Sequence, residues 1–79
     1  MHYEIHIDEN GMTRNASIDT NDRSIYKAAQ LIIGATFAKE GAFVRFASVS
    51  YDPTTDSFRI TEYSFNVKDG KYSDLKPSK

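Results

Sequence analysis

Residues 3–7 alternate Tyr3, Ile5 and Ile7 with Glu4 and His6, a period of two that belongs to a strand and not to a helix. The run ends at Asn10-Gly11, the pair best suited to a two-residue type I′ turn, in which both central residues take positive φ. With those two as the loop, Ile7 pairs with Arg14, Ile5 with Ala16 and Tyr3 with Ile18. The other face then carries Asp8 with Thr13, His6 with Asn15 and Glu4 with Ser17. Apolar and polar positions separate cleanly, with Arg14 the one misfit, and a slip of one residue would scramble them.

From Ser24 the period changes to that of a helix. Ile25, Ala29, Ile32, Ile33, Thr36 and Phe37 fall on one broad face, and Arg23, Lys27 and Gln30 form a narrow polar one. Thr20 or Asn21 is expected as the cap, with Asp22 in the first turn, Lys39 near the end and Gly41 as the stop. Ala28, Leu31, Ala35 and Ala38 recur at i, i+3, i+7 and i+10. This second, small-residue flank has two readings: the contact of a homodimer, since small side chains let two helices approach closely, or a cover over the sheet's far edge.

Two further strand patterns follow, at 42–51 and 58–67, joined by a turn at Asp52-Pro53-Thr54-Thr55-Asp56. The turn pairs Tyr51 with Phe58, Val49 with Ile60, Phe46 with Tyr63 and Val44 with Phe65. This hairpin is apolar on both faces. Phe43, Ala47, Val49, Tyr51, Phe58 and Ile60 are assigned to the helix-covered core, which leaves Val44, Phe46, Tyr63, Phe65 and Val67 on the opposite face as a partner-binding patch. Two other fates for that patch are coverage by Tyr72 and Leu75 of the tail, or coincident bulges that turn it inward.

The predicted order is ββαββ: an α+β domain over residues 1–69 with a polar C-terminal tail at 70–79. Four antiparallel strands and one helix packed on one face satisfy the layer rule. Strand order 2-1-3-4 is favoured over 1-2-4-3, as both keep every neighbour antiparallel.

Composition narrows the chemistry. Seventy-nine residues make one small domain. The absence of cysteine excludes a disulfide framework and fits a reducing compartment, so a cytoplasmic location is expected. The first residues lack a basic region followed by an apolar run, and no stretch approaches the roughly 20 apolar residues of a membrane span. Ten basic against eleven acidic side chains give a net charge of −1, which disfavours a nucleic-acid partner bound by counterion release. His2 and His6 stand roughly 13 Å apart on one strand, too far to share a metal ion. The acidic residues fall in turns and caps, where Asp bonds locally, and Asn15-Ala16-Ser17 reads as a chance sequon within a strand. No nucleophile–base pair, phosphate loop or cofactor motif is present, so no catalytic, cofactor or metal residues are assigned and the protein is expected not to be an enzyme.

Lys39-Glu40-Gly41-Ala42-Phe43-Val44-Arg45-Phe46 resembles the central octapeptide of the RNA-recognition motif at Lys39, Ala42, Phe43, Val44 and Phe46. Glu40 stands where that family has glycine, and Gly41 where it has a stacking aromatic. The family's order is βαββαβ, with this peptide on its third strand, whereas here it follows the only helix. The resemblance implies a single-stranded RNA binder using Phe43, Phe46, Tyr63, Phe65 and Arg45.

The reading that leads is a non-enzymatic interaction module that occupies a surface of another macromolecule, with a protein partner and a homodimer both expected. Short cysteine-free chains of this style include phage-encoded regulators such as anti-CRISPR-type inhibitors. On this reading Phe46→Ser abolishes partner binding and spares the fold, which a melting curve checks.

Overall fold

The computed structural model describes residues 1–78. In it β1 (His2–Glu9) and β2 (Met12–Asp19) form the first hairpin, α1 spans Ile25–Thr36, and β3 (Phe43–Asp52), β4 (Ser57–Lys68) and β5 (Lys71–Pro77) complete a meander. All five strands join one sheet in the order β2-β1-β3-β4-β5, with every neighbouring pair antiparallel. The α+β class and the 2-1-3-4 arrangement hold. The strand count does not, because a fifth strand extends the sheet beyond β4.

That fifth strand is built from what reads as a polar tail. Its turn, Asp69-Gly70, carries φ of 54° and 74°, matching the positive φ of Asn10 (51°) and Gly11 (73°). Asp-Gly at such a turn is as strong a hairpin signal as Asn-Gly. The strand it starts is irregular: the register shifts between Ser64 and Asn66, and Asp74 also has positive φ. Such a break hides the alternation that a sequence reading needs. Tyr72 and Leu75 pack against the core, Tyr26 and Tyr72 bring their ring centroids to 6.0 Å, and Gln30 Nε2 donates to Gly70 O at 3.3 Å. The tail is thereby fastened to the helix.

The first hairpin has the expected register throughout. Tyr3, Ile5 and Ile7 are buried beneath α1, with Ala16 and Ile18 packed at the margin. Arg14 is a misfit with a purpose. Its Nη2 donates to Thr36 O at 2.8 Å, satisfying one of the carbonyls left free at the helix C-terminus.

The helix is shorter than expected at both ends. Ser24 is its cap, accepting from Lys27 N at 3.4 Å. Thr20 and Asp22 act one step earlier: Thr20 Oγ1 accepts from Asp22 N, and Asp22 Oδ1 from Ser24 N. These short-range bonds hold the approach in turns and delay the first helical residue. At the other end Phe37, expected on the core face, takes φ 54° and ψ 39° and swings into solvent, 83% exposed. Left-handed geometry at this position ends the helix before Lys39 or Gly41 can.

The second hairpin has the expected register but the opposite phase. Strand β3 pairs with β1 so that Ile7 faces Val44, Ile5 faces Phe46 and Tyr3 faces Ser48. Directly paired residues share a face of the sheet, so Val44, Phe46, Phe65 and Val67 lie under the helix, fully or almost fully buried, with Tyr63 half-buried beside them. They are core. The reason lies in charge. The other face carries Arg45 and Glu62, which could not be buried unpaired at modest cost. Phe46 sits at the centre of this core, in ring contact with Tyr3, Tyr63 and Phe65.

Phe46→Ser is therefore expected to unfold the domain instead of sparing it. It should cost about 3–5 kcal/mol, a large share of a small domain's stability. Phe58→Ser, on the exposed face, should stay within about 0.5 kcal/mol of the wild type. Parallel chemical denaturation of the two variants checks the contrast.

Candidate interaction surface

Pairing with β1 ends at Ser48, and pairing of β4 with β5 begins at Tyr63. Ser78 N still reaches Glu62 O at 2.9 Å, but from Val49 to Ile60 the two strands are bonded only to each other, and residues 49–60 are all exposed. The hairpin thus projects as a two-stranded arm beyond the sheet, and the molecule is elongated, 42 × 23 × 20 Å. Alternation places Ser50, Asp52, Ser57 and Arg59 on one face of the arm. On the other are Val49, Tyr51, Phe58 and Ile60, which remain 59%, 50%, 71% and 69% exposed.

Internal contacts shape the arm without covering it. Tyr51 and Phe58 are directly opposed, with ring centroids 5.1 Å apart at 52°. Tyr51 Oη donates to Asp56 Oδ1 at 2.6 Å, and this bond to a carboxylate pushes the phenol's pKa up. Asp52 accepts from the hydroxyl (2.6 Å) and the backbone N–H (3.0 Å) of Thr54, which hold its carboxyl below the usual range. Asp56 closes the turn at φ 51°. The tip is held by these local bonds and carries two carboxylates.

At the arm's root, on the same face, lies a shallow depression lined by Glu4, His6, Asn15, Arg45, Ala47 and Glu62. Among the described residues Arg45 and Glu62 form no salt bridge. His6 Nε2 stands 3.4 Å from Asp8, and His2 is bonded to Glu4 and Asp19, with Glu4 the larger cause of its raised pKa. No group of three or more His, Asp or Glu side chains among the described residues is arranged to hold a metal ion. No helix among them is long and apolar enough to cross a membrane.

The opposite end of the molecule has a smaller apolar spot, where Met12 and Phe37 border a pocket with Glu9, Arg14 and Lys39. Glu9 accepts from Arg14 Nε and Nη2, both at 3.2 Å, and from Lys39 N at 3.3 Å. The Arg14 bond is the main cause of its lowered pKa.

The structure does not bring the expected site residues together as a surface. Val44, Phe46, Phe65 and Val67 are inside, and the aromatic platform implied by the RNA-binding resemblance loses Phe46 and Phe65 with them. The helix flank is divided as well. Ala28 is buried, Leu31 and Ala35 are exposed, and Ala38 lies beyond the helix end, packed against the core. The early end of α1 breaks that stripe. The arm's exposed apolar surface, Val49, Tyr51, Phe58 and Ile60, consists of four of the six residues that sequence reasoning assigned to the helix-covered core. Comparison with protein-family models, curated proteins and solved structures finds no match to this chain.

Glu9 generates a pH prediction. A carboxyl whose folded pKa is lowered contributes stability above its unfolded value, near 4.5, and that contribution is lost as pH falls through the folded value. Glu9→Gln should therefore lower the melting temperature at pH 7, and the gap to wild type should close on acidification below pH 4.5. Melting curves across pH 2–7 check it.

Proposed function

We propose that the protein is a non-enzymatic interaction module that works by laying the apolar face of its β-arm on the surface of another protein. The observation that carries this reading is the arm itself, four large apolar side chains on a ribbon supported by neither a helix nor a neighbouring strand. An isolated two-stranded ribbon is at best marginally stable in water, and one with an oily face gains most from a surface that covers it. Contiguous apolar patches of several hundred Å² on soluble chains usually serve recognition. Phe58 and Tyr51 are the natural anchors, because aromatic groups dominate binding energy at protein interfaces.

Charge favours a protein over a nucleic acid. The arm offers Arg59 against Asp52 and Asp56, and the whole chain carries −1, so a phosphate backbone finds no basic track. Occupying a partner's surface by such an arm is the mode of action expected of an inhibitor or a regulator.

The test is capture from a lysate of the source cell by wild type and by Phe58→Ser/Ile60→Ser, both shown by circular dichroism to be folded. Proteins retained by the wild type should be lost with the variant. An unchanged set of captured proteins overturns the arm as the docking surface.

A further inference from the structure

We propose that the outer edge of β2 pairs with the same edge of a second copy of this chain, antiparallel about a two-fold axis at Ala16, so that the two sheets become one.

The backbone of β2 supplies the means. Thr20 N donates to Met1 O and Met1 N to Thr20 O, so this rung exchanges both of its hydrogen bonds. Alternation along an antiparallel pair gives the same character to Tyr3–Ile18, Ile5–Ala16, Ile7–Arg14 and Glu9–Met12. Thr13, Asn15, Ser17 and Asp19 therefore direct their N–H and C=O groups away from β1. All four residues are exposed, β2 is the last strand of the sheet, and no backbone group among the described residues meets them.

The two edges of the sheet are built differently. Strand β5 carries features that discourage pairing: Lys71, Lys76 and Pro77, a register shift at Ser64–Asn66, and Asp74 at φ 57°. Strand β2 has neither lysine nor proline, no residue of positive φ, and an unbroken register over its whole length. Its one cation, Arg14, is tied to Glu9 and to Thr36 O. A regular edge without such protection is a template for another strand.

Register identifies that strand as the same one from a second copy. Only outward-directed residues can exchange bonds across the seam, and an axis at Ala16 pairs Thr13 with the partner's Asp19 and Asn15 with the partner's Ser17. Every outward group of the strand then has a counterpart; moving the axis by one residue leaves Asp19 or Thr13 facing a position outside β2. No charge meets its like, since Arg14 lies opposite the partner's Ile18. On the axis Ala16 meets its own copy in a rung of the closely spaced kind, Cα atoms about 4.5 Å apart, where a methyl side chain fits. The exposed Met12 becomes a diagonal neighbour of the partner's Ile18. A two-fold axis normal to the sheet keeps both helices on one face and points the two arms in opposite directions, each still uncovered.

Sedimentation equilibrium over 5–500 µM should take the wild type from monomer to dimer. Phe58→Ser/Ile60→Ser should associate equally well, because the arm lies outside the seam. Asn15→Pro removes an outward donor and no backbone bond to β1, so it should weaken association about thirtyfold or more with an unchanged circular dichroism spectrum. The axis is checked by cross-linking, in a chain with no cysteine of its own. Ala16→Cys brings two thiols within disulfide reach and should cross-link under oxidised glutathione. Thr13→Cys sets them about 20 Å apart and should not. A wild type that stays monomeric at 500 µM overturns the proposal, and the capture comparison then still judges the arm by itself. Association that survives Asn15→Pro, that is lost in the arm double variant, or that cross-links Thr13→Cys as readily as Ala16→Cys overturns it equally.

Discussion

Six rungs between β1 and β3, from Asp8–Phe43 to Tyr3–Ser48, set everything else in this molecule. They join two hairpins that each fold locally, and they do so across a helix, at a sequence distance of some forty residues. Their register decides which parity of β3 meets α1. Through the regular β3–β4 ladder it also decides which residues of β4 are core. A shift of one would bring Phe43, Arg45 and Ala47 under the helix and expel Val44 and Phe46. The choice is enforced by what each face would have to desolvate: Arg45 and Glu62 on one side, Ser48 as the buried polar strand residue on the other. Among the described residues no buried side-chain polar atom is left without a partner, so the chosen register is also the satisfied one.

The same ladder fixes where the arm begins. Since β1 is eight residues long and β3 ten, with four of those ten beyond Ser48, the hairpin outruns the sheet and its last rungs have no third strand. What looks in the sequence like surplus hydrophobicity is therefore a matter of length as much as of face. A core of twelve buried apolar residues suffices for the layer between α1 and the sheet, and the four apolar residues of the arm stand outside it. Their placement on the helix-free face keeps them continuous with Ala47 and the charged pair at the root, so that oil and charge lie along one strip.

The sequence made each hairpin legible by itself. Asn10-Gly11 and the Asp52–Asp56 turn have local signatures, and alternation then assigns every partner in β1–β2 and β3–β4. The phase between the hairpins was not legible in that way, because no local rule links Ile5 to Phe46. The discriminating signal was nonetheless present in Arg45 and Glu62, two charges on the face assigned to the core. Asp69-Gly70 announced β5 as plainly as Asn10-Gly11 announced the first turn, but the bulge at Ser64–Asn66 and the left-handed Asp74 broke the alternation beyond it. Phe37 misled for a different reason: its spacing is helical, and only the cap geometry turns it outward.

The unequal support along β3 has a consequence for how the molecule comes apart. One continuous strand here belongs to two regimes. Phe43–Ser48 is held by neighbours on both sides and under a helix, so its amides can exchange with solvent only when the whole domain opens. From Val49 to Asp52 each residue has a single neighbouring strand, and opening the ribbon there leaves the core intact. The strand drawn as one element is thus not the unit of cooperativity. A boundary between global and local unfolding runs through the middle of it, between Ser48 and Val49.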